Sequence, residues 1–313
     1  MNYLILVGSL VLIIVGASLL TDGSVAMAKR LRVPEFIVGL TVVAVGTSMP
    51  ELVVSLLSAI GGKGDMAIGN VVGSNIFNIF ATLGVCALCA PIVFTKTNVR
   101  RDIPTCILAT LALLGVTYLN QDITRVEGII LLVGYVVMIW LTIRADRKAM
   151  AASGQAEQSE DGVRQMAVWK IPVWIVLGLA GLIYGGSIFV ESASDIARAW
   201  GVSEATIAIT LVAGGTSLPE LASSVVSILK GSTSLALGNV LGSNIANILL
   251  ILGTCSTVTP LTMGGVAMTD VWVAVAAVAA VMLSAYVIGR DKLTRVEGVI
   301  FLVCYAAYVY TLV

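Results

Sequence analysis

The sequence contains no histidine. That absence excludes His metal ligands, imidazole proton relays and the Ser-His and Cys-His forms of nucleophilic catalysis. Charge is scarce as well. Asp, Glu, Lys and Arg make up 12% of the 313 residues, against about 25% in an ordinary soluble domain. Eighteen cationic side chains balance eighteen acidic ones, so no net positive field points to nucleic acid. The five cysteines (Cys86, Cys89, Cys106, Cys255, Cys304) all fall in apolar runs. The Cys86-x-x-Cys89 pair therefore reads as small core residues rather than as a redox couple.

What fills the space is hydrophobic. Apolar residues make up 58% of the chain and the mean hydropathy is +1.02. Ten apolar runs are long enough to cross a bilayer: 3–21, 36–60, 66–91, 103–120, 126–143, 172–190, 205–229, 235–260, 271–289 and 296–313. The first lacks the basic leader of a signal peptide and has a counterpart at 173–190, so it reads as a span. Segment 144–170, rich in Lys, Arg, Gln, Ser and Glu, is the one clear linker. The predicted fold is an all-α integral membrane protein. Residues 1–143 form one five-helix unit, 144–170 a linker and 171–313 a second five-helix unit.

The two units repeat one another. Residues 41–84 and 210–253 align without a gap, and about half the positions are identical. Glu220 follows Glu51 by 169 residues, and Asn247 follows Asn78 by the same interval. Asp22 matches Glu191 at that offset as well; both lie near span ends, where a structural role fits. Thr124-Arg-Val-Glu127 and Thr294-Arg-Val-Glu297 read as capping boxes that open the last helix of each unit.

Lysine and arginine orient the spans. Fifteen of the eighteen fall in odd-numbered loops; only Lys63, Arg125 and Arg198 fall on the other side. The positive-inside rule then puts the odd loops and the linker in the cytoplasm and both termini outside. Five spans per unit is an odd number, so the second unit must enter the membrane from the opposite face. Inverted repeats of this kind carry their substrate near the midplane, on interrupted helices.

The chemistry concentrates in Gly46-Thr47-Ser48-Met49-Pro50-Glu51 and its twin Gly215-Thr216-Ser217-Leu218-Pro219-Glu220. A charged side chain in a bilayer costs roughly 2.5–3.5 kcal/mol on insertion scales, so its presence points to function. Pro50 and Pro219 lack an N–H and release the carbonyls of Gly46 and Gly215, interrupting helices 2 and 7. Released carbonyls survive in a membrane only where protein or a polar cavity receives them. Thr47, Ser48, Glu51 and Ser55 are spaced to share a helix face. Carboxylate, hydroxyl and carbonyl oxygens on one stripe are hard ligands, suited to Ca²⁺, Na⁺ or a proton. The following helix adds Gly69, Gly73, Ser74, Asn75 and Asn78, matched by Gly238, Gly242, Ser243, Asn244 and Asn247. Gly69-x-x-x-Gly73 reads as helix packing, and Asn75 with Asn244 as either interhelical hydrogen bonding or site lining.

Two ionised glutamates supply two negative charges, which one Ca²⁺ or two monovalent cations would balance. A site that is costly to leave empty favours exchange over leak, with Glu51 and Glu220 exposed to each face in turn. A cation channel is the competing reading. An intramembrane enzyme would have only Ser48 beside Glu51 to work with. No cofactor is implied.

The motifs GTSMPE (46–51), GTSLPE (215–220), GNVVGSNIFN (69–78) and GNVLGSNIAN (238–247) resemble those of the calcium/cation antiporter superfamily, in its prokaryotic sodium/calcium exchanger-like branch. The resemblance spans all ten predicted helices. It implies a plasma (inner) membrane exchanger of a prokaryote that uses a cation gradient to expel Ca²⁺. By motif position it implies a Ca²⁺ site at Glu51 and Glu220 with the carbonyls of Thr47 and Thr216. It implies flanking monovalent sites using the Ala44 and Ala213 carbonyls, Ser48, Ser217, Ser74 and Ser243, with Asn78 and Asn247 lining the cavity. Sodium/calcium exchangers of this kind typically carry an aspartate where this chain has Asn247. Na⁺ and H⁺ therefore both stand as the counter-ion. The linker is too short for the large Ca²⁺-sensing domain of animal exchangers, so no such regulation is expected.

Overall fold

A computed structural model of the chain describes residues 2–153, 166–201, 213–288 and 291–312. Among them the chain is helical but for four two-residue strands and short turns. Helix α1 (Asn2–Leu31) leads to a bent pair, α2 (Glu35–Thr47) and α3 (Met49–Ile60). Then come α4 (Gly64–Cys89), α5 (Asn98–Leu119) and α6 (Arg125–Ser153). The second half has α7 (Lys170–Ala199), a three-residue turn at Ala213–Gly215, α8 (Leu218–Leu229), α9 (Thr233–Val258), α10 (Met268–Ile288) and α11 (Arg295–Leu312).

Eight of these helices are long and apolar enough to cross a bilayer, and α2 with α3 makes a ninth if counted as one bent span. The apolar outer faces and this helix set make the chain a membrane protein. Of the expected run 205–229, α8 is described, while 202–212 lies outside the described residues. The middle of the linker, 154–165, lies outside them too. Within the linker's first part, α6 continues as helix to Ser153, beyond the apolar span that ends at Ala145. Residues 144–153 read Arg-Ala-Asp-Arg-Lys-Ala-Met-Ala-Ala-Ser. Ala, Arg, Lys and Met are strong helix formers, so charge there ends the span without ending the helix.

Helices α1 and α7 are the longest apolar spans, 30 residues each. At 1.5 Å per residue they reach about 45 Å, well past a hydrocarbon core of about 30 Å. They pack along one another through glycine. A Cβ on Gly16 would lie 2.8 Å from the Leu182 nitrogen, and one on Gly178 would lie 2.6 Å from the Leu20 nitrogen. No side chain fits there, so the two backbones touch.

Two short ladders tie the halves together. Strand β1 (Ile92–Val93) pairs antiparallel with β4 (Lys292–Leu293), and β2 (Asp122–Ile123) with β3 (Leu261–Thr262). The capping boxes form as the sequence predicts. The Thr124 N–H donates to Glu127 Oε2 at 2.8 Å while the Glu127 N–H donates to Thr124 Oγ1 at 3.3 Å. Thr294 and Glu297 repeat this at 2.8 and 3.4 Å. The core is filled by α4 and α9, whose apolar side chains (Ile68, Ile76, Ile79, Leu237, Leu241, Ile245) are almost fully buried. Their burial centres the polar residues they carry.

Candidate functional site

Pro50 and Pro219 occupy the first turn of α3 and α8, where a missing N–H costs nothing. The chain bends by 47° between α2 and α3. Ser48 and Ser217 sit at the breaks and are the N-caps of the helices that follow. Each proline is followed at once by its glutamate, so Glu51 and Glu220 both start a helix. A helix N-terminus favours negative charge. Both glutamates are completely buried, at 0% exposure.

The two carboxylates are held from across the repeat. The Ser48 hydroxyl donates to Glu220 Oε1 at 2.7 Å, and the Ser217 hydroxyl donates to Glu51 Oε1 at 2.9 Å. Ser74 adds a 3.5 Å contact to Glu51 Oε1. The spacing reading placed Ser48 beside its own Glu51; the bend at Ser48 turns it toward Glu220 instead. Each carboxylate keeps a second oxygen, Glu51 Oε2 and Glu220 Oε2, buried and without a hydrogen-bond partner.

Of the remaining expected residues, Ser74 touches a glutamate directly, and the others are placed as follows. The Ala44 carbonyl accepts from Thr47 Oγ1 at 3.4 Å and from Ser243 Oγ at 3.5 Å. Asn78 is buried with both amide atoms unpartnered, and Asn247 has a free, buried Oδ1. Thr216 Oγ1 is also buried and unpartnered. Ala213 opens the turn Ala213–Gly215 at the edge of the described residues, and its side chain lies outside them. Among the described residues no cluster of three or more His, Cys, Asp or Glu forms. Further oxygens around the two glutamates come from hydroxyls, amides and the main chain.

Helices α4 and α9 each widen into a π-turn where the site asparagines sit, at Phe77–Thr82 and Asn247–Leu252. A π-turn shifts the hydrogen-bond ladder and releases carbonyls. Asn75 Nδ2 donates to the Asn244 carbonyl at 3.1 Å and Asn244 Nδ2 to the Asn75 carbonyl at 3.2 Å, a reciprocal pair. Asn247 Nδ2 donates to Asn75 Oδ1 at 2.9 Å. Asn75 and Asn244 therefore join α4 to α9 just ahead of their wide turns, and Asn75 orients Asn247.

Asn70 and Asn239 were not marked by the sequence. Asn70 Nδ2 donates to the Ser55 hydroxyl at 3.0 Å and contacts the Glu51 carbonyl at 3.4 Å. Asn239 Nδ2 reaches the hydroxyls of Ser223 and Ser224, each at 2.9 Å, and the Glu220 carbonyl at 3.3 Å. The available signal was their identical separation of 19 residues from each glutamate. A cavity of about 700 Å³ adjoins the site, walled by Met49, Pro50, Val53, Val190, Glu191 and Thr216 among others.

A sequence-family profile described as sodium/calcium exchanger protein matches residues 1–144 and 170–313. The chain is 40% identical to the putative antiporter CaxA of Alkalimonas amylolytica over 98% of this chain and 97% of that protein. It is 31% identical to the sodium/calcium exchanger MaX1 of Methanosarcina acetivorans over 99% of this chain and 98% of that protein. A solved structure of the sodium-calcium exchanger NCX_Mj superposes with a TM-score of 0.85 at 28% identity, covering 100% of this chain and 99% of that one.

Proposed function

We propose that this chain, which belongs to the sodium/calcium exchanger protein family, is a secondary-active antiporter exchanging Ca²⁺ for Na⁺ or H⁺ by alternating access. The observation that carries this reading is the pair Glu51 and Glu220. Each is fully buried, held by a serine of the opposite half and left with one unpaired oxygen. Two buried anions are costly unless matched by cations. One Ca²⁺ or two monovalent ions match them, and the empty pair crosses the membrane unfavourably. That penalty couples the two fluxes.

In this reading Ca²⁺ is held by Glu51, Glu220 and the carbonyls of Thr47 and Thr216. Monovalent ions use the carbonyls of Ala44 and Ala213 with Ser48, Ser217, Ser74 and Ser243, and Asn78 and Asn247 line the space. Ca²⁺ takes six to eight hard oxygen ligands, which this set can supply. Asn247 adds no charge, so the site totals two negative charges and accepts either Na⁺ or H⁺ in exchange.

The frame is ten spans in two inverted five-helix repeats, with the spans holding Pro50 and Pro219 interrupted. The reciprocal bonds between positions 169 residues apart support a two-fold relation. Both termini lie outside and the linker 144–170 is cytoplasmic, in a prokaryotic plasma membrane. The ladders agree with that topology: β1 and β4 join two odd-numbered loops, β2 and β3 two even-numbered ones. The test is Ca²⁺ uptake into proteoliposomes under a Na⁺ gradient at clamped pH, then under a proton gradient without Na⁺. Uptake is expected under one gradient at least, and lost in Glu51→Gln and Glu220→Gln. Undiminished flux in either variant overturns the reading.

A further inference from the structure

Among the described residues the 169-residue offset lets bonds in one half be compared with their mates in the other, and the cross-half bond from Thr47 is one of those without a mate. Thr47 Oγ1 has one hydrogen to give, and its shorter contact is to Asn239 Oδ1 at 3.2 Å, with the Ala44 carbonyl the alternative acceptor at 3.4 Å. The corresponding partners are Thr216 and Asn70. Asn70 keeps its bonds to Ser55 and to the Glu51 carbonyl, as Asn239 keeps those to Ser224 and the Glu220 carbonyl. Thr216 Oγ1, however, is buried with no partner. Asn239 also reaches Ser223, where the other half has Val54. Of the bonds whose partners are present in both halves, the one between the halves is missing at Asn70.

The same asymmetry recurs further out. Where α1 meets α8, Thr21 Oγ1 and Ser227 Oγ share a hydrogen bond at 3.0 Å, and Lys230 Nζ reaches Asp22 Oδ1 at 2.6 Å. The matching positions are Val190 with Ser58 and Gly61 with Glu191. Valine and glycine offer neither a hydroxyl nor a charge, and the 700 Å³ cavity lies beside Val190, Glu191 and Thr216. So the side where the cross-half bond is made is closed, and the side where it is missing is open.

We propose that Asn239 and Asn70 are positioning residues that act in turn. Thr47 bonds Asn239 in the state described here. When access switches to the other face, Thr47 is released and Thr216 Oγ1 donates to Asn70 Oδ1. Each asparagine also holds the main-chain carbonyl of its own glutamate, so the exchange of bonds is felt at the ion site. The inference rests on the antiport reading above and goes beyond it in naming what distinguishes the two end states.

The test compares Thr47→Val with Thr216→Val, which leave both backbone carbonyls in place. Half-saturating Ca²⁺ is measured from each face of oriented proteoliposomes. Apparent affinity at a face scales with the fraction of protein open to it. Loss of one neutral hydrogen bond is expected to move the ratio of the two affinities about two- to tenfold. Thr47→Val moves it toward the face closed here and Thr216→Val moves it the opposite way. Asn239→Ala and Asn70→Ala follow their respective threonines, and Thr→Ser at either position restores the wild-type ratio. Thr216 Oγ1 is buried without a partner here, and removing such a group favours this state by itself. The deciding comparison is therefore Thr216→Val with and without Asn70→Ala. If Thr216 acts through Asn70, its effect on the ratio is lost in the Asn70→Ala background, and an undiminished effect there overturns the inference. A silent Thr216→Val, or one moving the ratio in the same direction as Thr47→Val, overturns the inference while antiport stands. If the wild type exchanges no Ca²⁺ at all, the antiport reading fails first. Should Thr47→Val not fold, Thr216→Val compared with and without Asn70→Ala decides.

Discussion

Ser48 donates its hydroxyl hydrogen to Glu220 Oε1 across 2.7 Å, from one half of the chain to the glutamate of the other. It is the shortest contact either carboxylate makes with a serine. Hydrogen bonds to charged groups contribute about 1.5–3 kcal/mol. Ser48→Ala is therefore expected to lower the stability of the cation-free protein by about that amount. Thermal unfolding in detergent without Ca²⁺ measures it. Added Ca²⁺ is expected to raise the midpoint of the wild type by mass action, and by less in Ser48→Ala. An unchanged midpoint in the variant counts against the bond.

Charge balance sets a second expectation. Two glutamates trading one Ca²⁺ for two monovalent cations make exchange electroneutral, so an imposed membrane potential leaves its rate unchanged. Asn247→Asp adds a third carboxylate beside an oxygen that is already buried and unpaired. The variant is expected to take three monovalent cations against one Ca²⁺ and become electrogenic. Ca²⁺ flux at several clamped potentials separates the cases. Equal voltage sensitivity in wild type and variant removes Asn247 from the charge count.

The pair Lys230 and Asp22 yields a third. Their side chains are 31% and 41% exposed, and pairs of that kind contribute only about 0–1 kcal/mol to stability. Lys230→Ala is expected to leave the unfolding midpoint nearly unchanged. The Lys230 contacts to Asp22 and Ser18 join α8 to α1, so their loss is expected to open that side more often. In the Ser227→Cys background the new thiol is then expected to react faster with a membrane-impermeant thiol reagent. Unchanged labelling indicates that the pair closes nothing.

A fourth concerns the glycine seam. A Cβ on Gly178 would lie 2.6 Å from the Leu20 nitrogen, and backbone cannot yield as a flexible side chain can. Gly178→Ala is expected to cost about 1–3 kcal/mol, the usual range for overpacking. A lowered unfolding midpoint checks it. Gly8→Ala, whose Cβ meets nothing within 4 Å, serves as the control.

The features legible in the sequence were local or strongly periodic. Thr124 with Glu127 and Thr294 with Glu297 were readable because a capping box closes over four residues. Glu51 and Glu220 stood out because a carboxylate behind proline in an apolar run has few other uses. The continuation of α6 past Arg144 was not readable, because Arg and Lys mark the end of a membrane span and also favour helix. Nor was the crossing of Ser48 to Glu220. Spacing alone put Ser48 on the stripe of Glu51, and only the 47° bend redirects it. Asn70 and Asn239 were hidden for another reason. An amide in an apolar helix has many partners open to it, and the ones it takes lie 15–19 residues away or in the other half.

Strands β1 and β4, and β2 and β3, each join one half of the chain to the other, and so does the seam between α1 and α7. The covalent tether through 154–165 is thus not what keeps the halves together. The gene could be divided there and its two products made separately; lying interlocked in the bilayer, they would still assemble into a working pair.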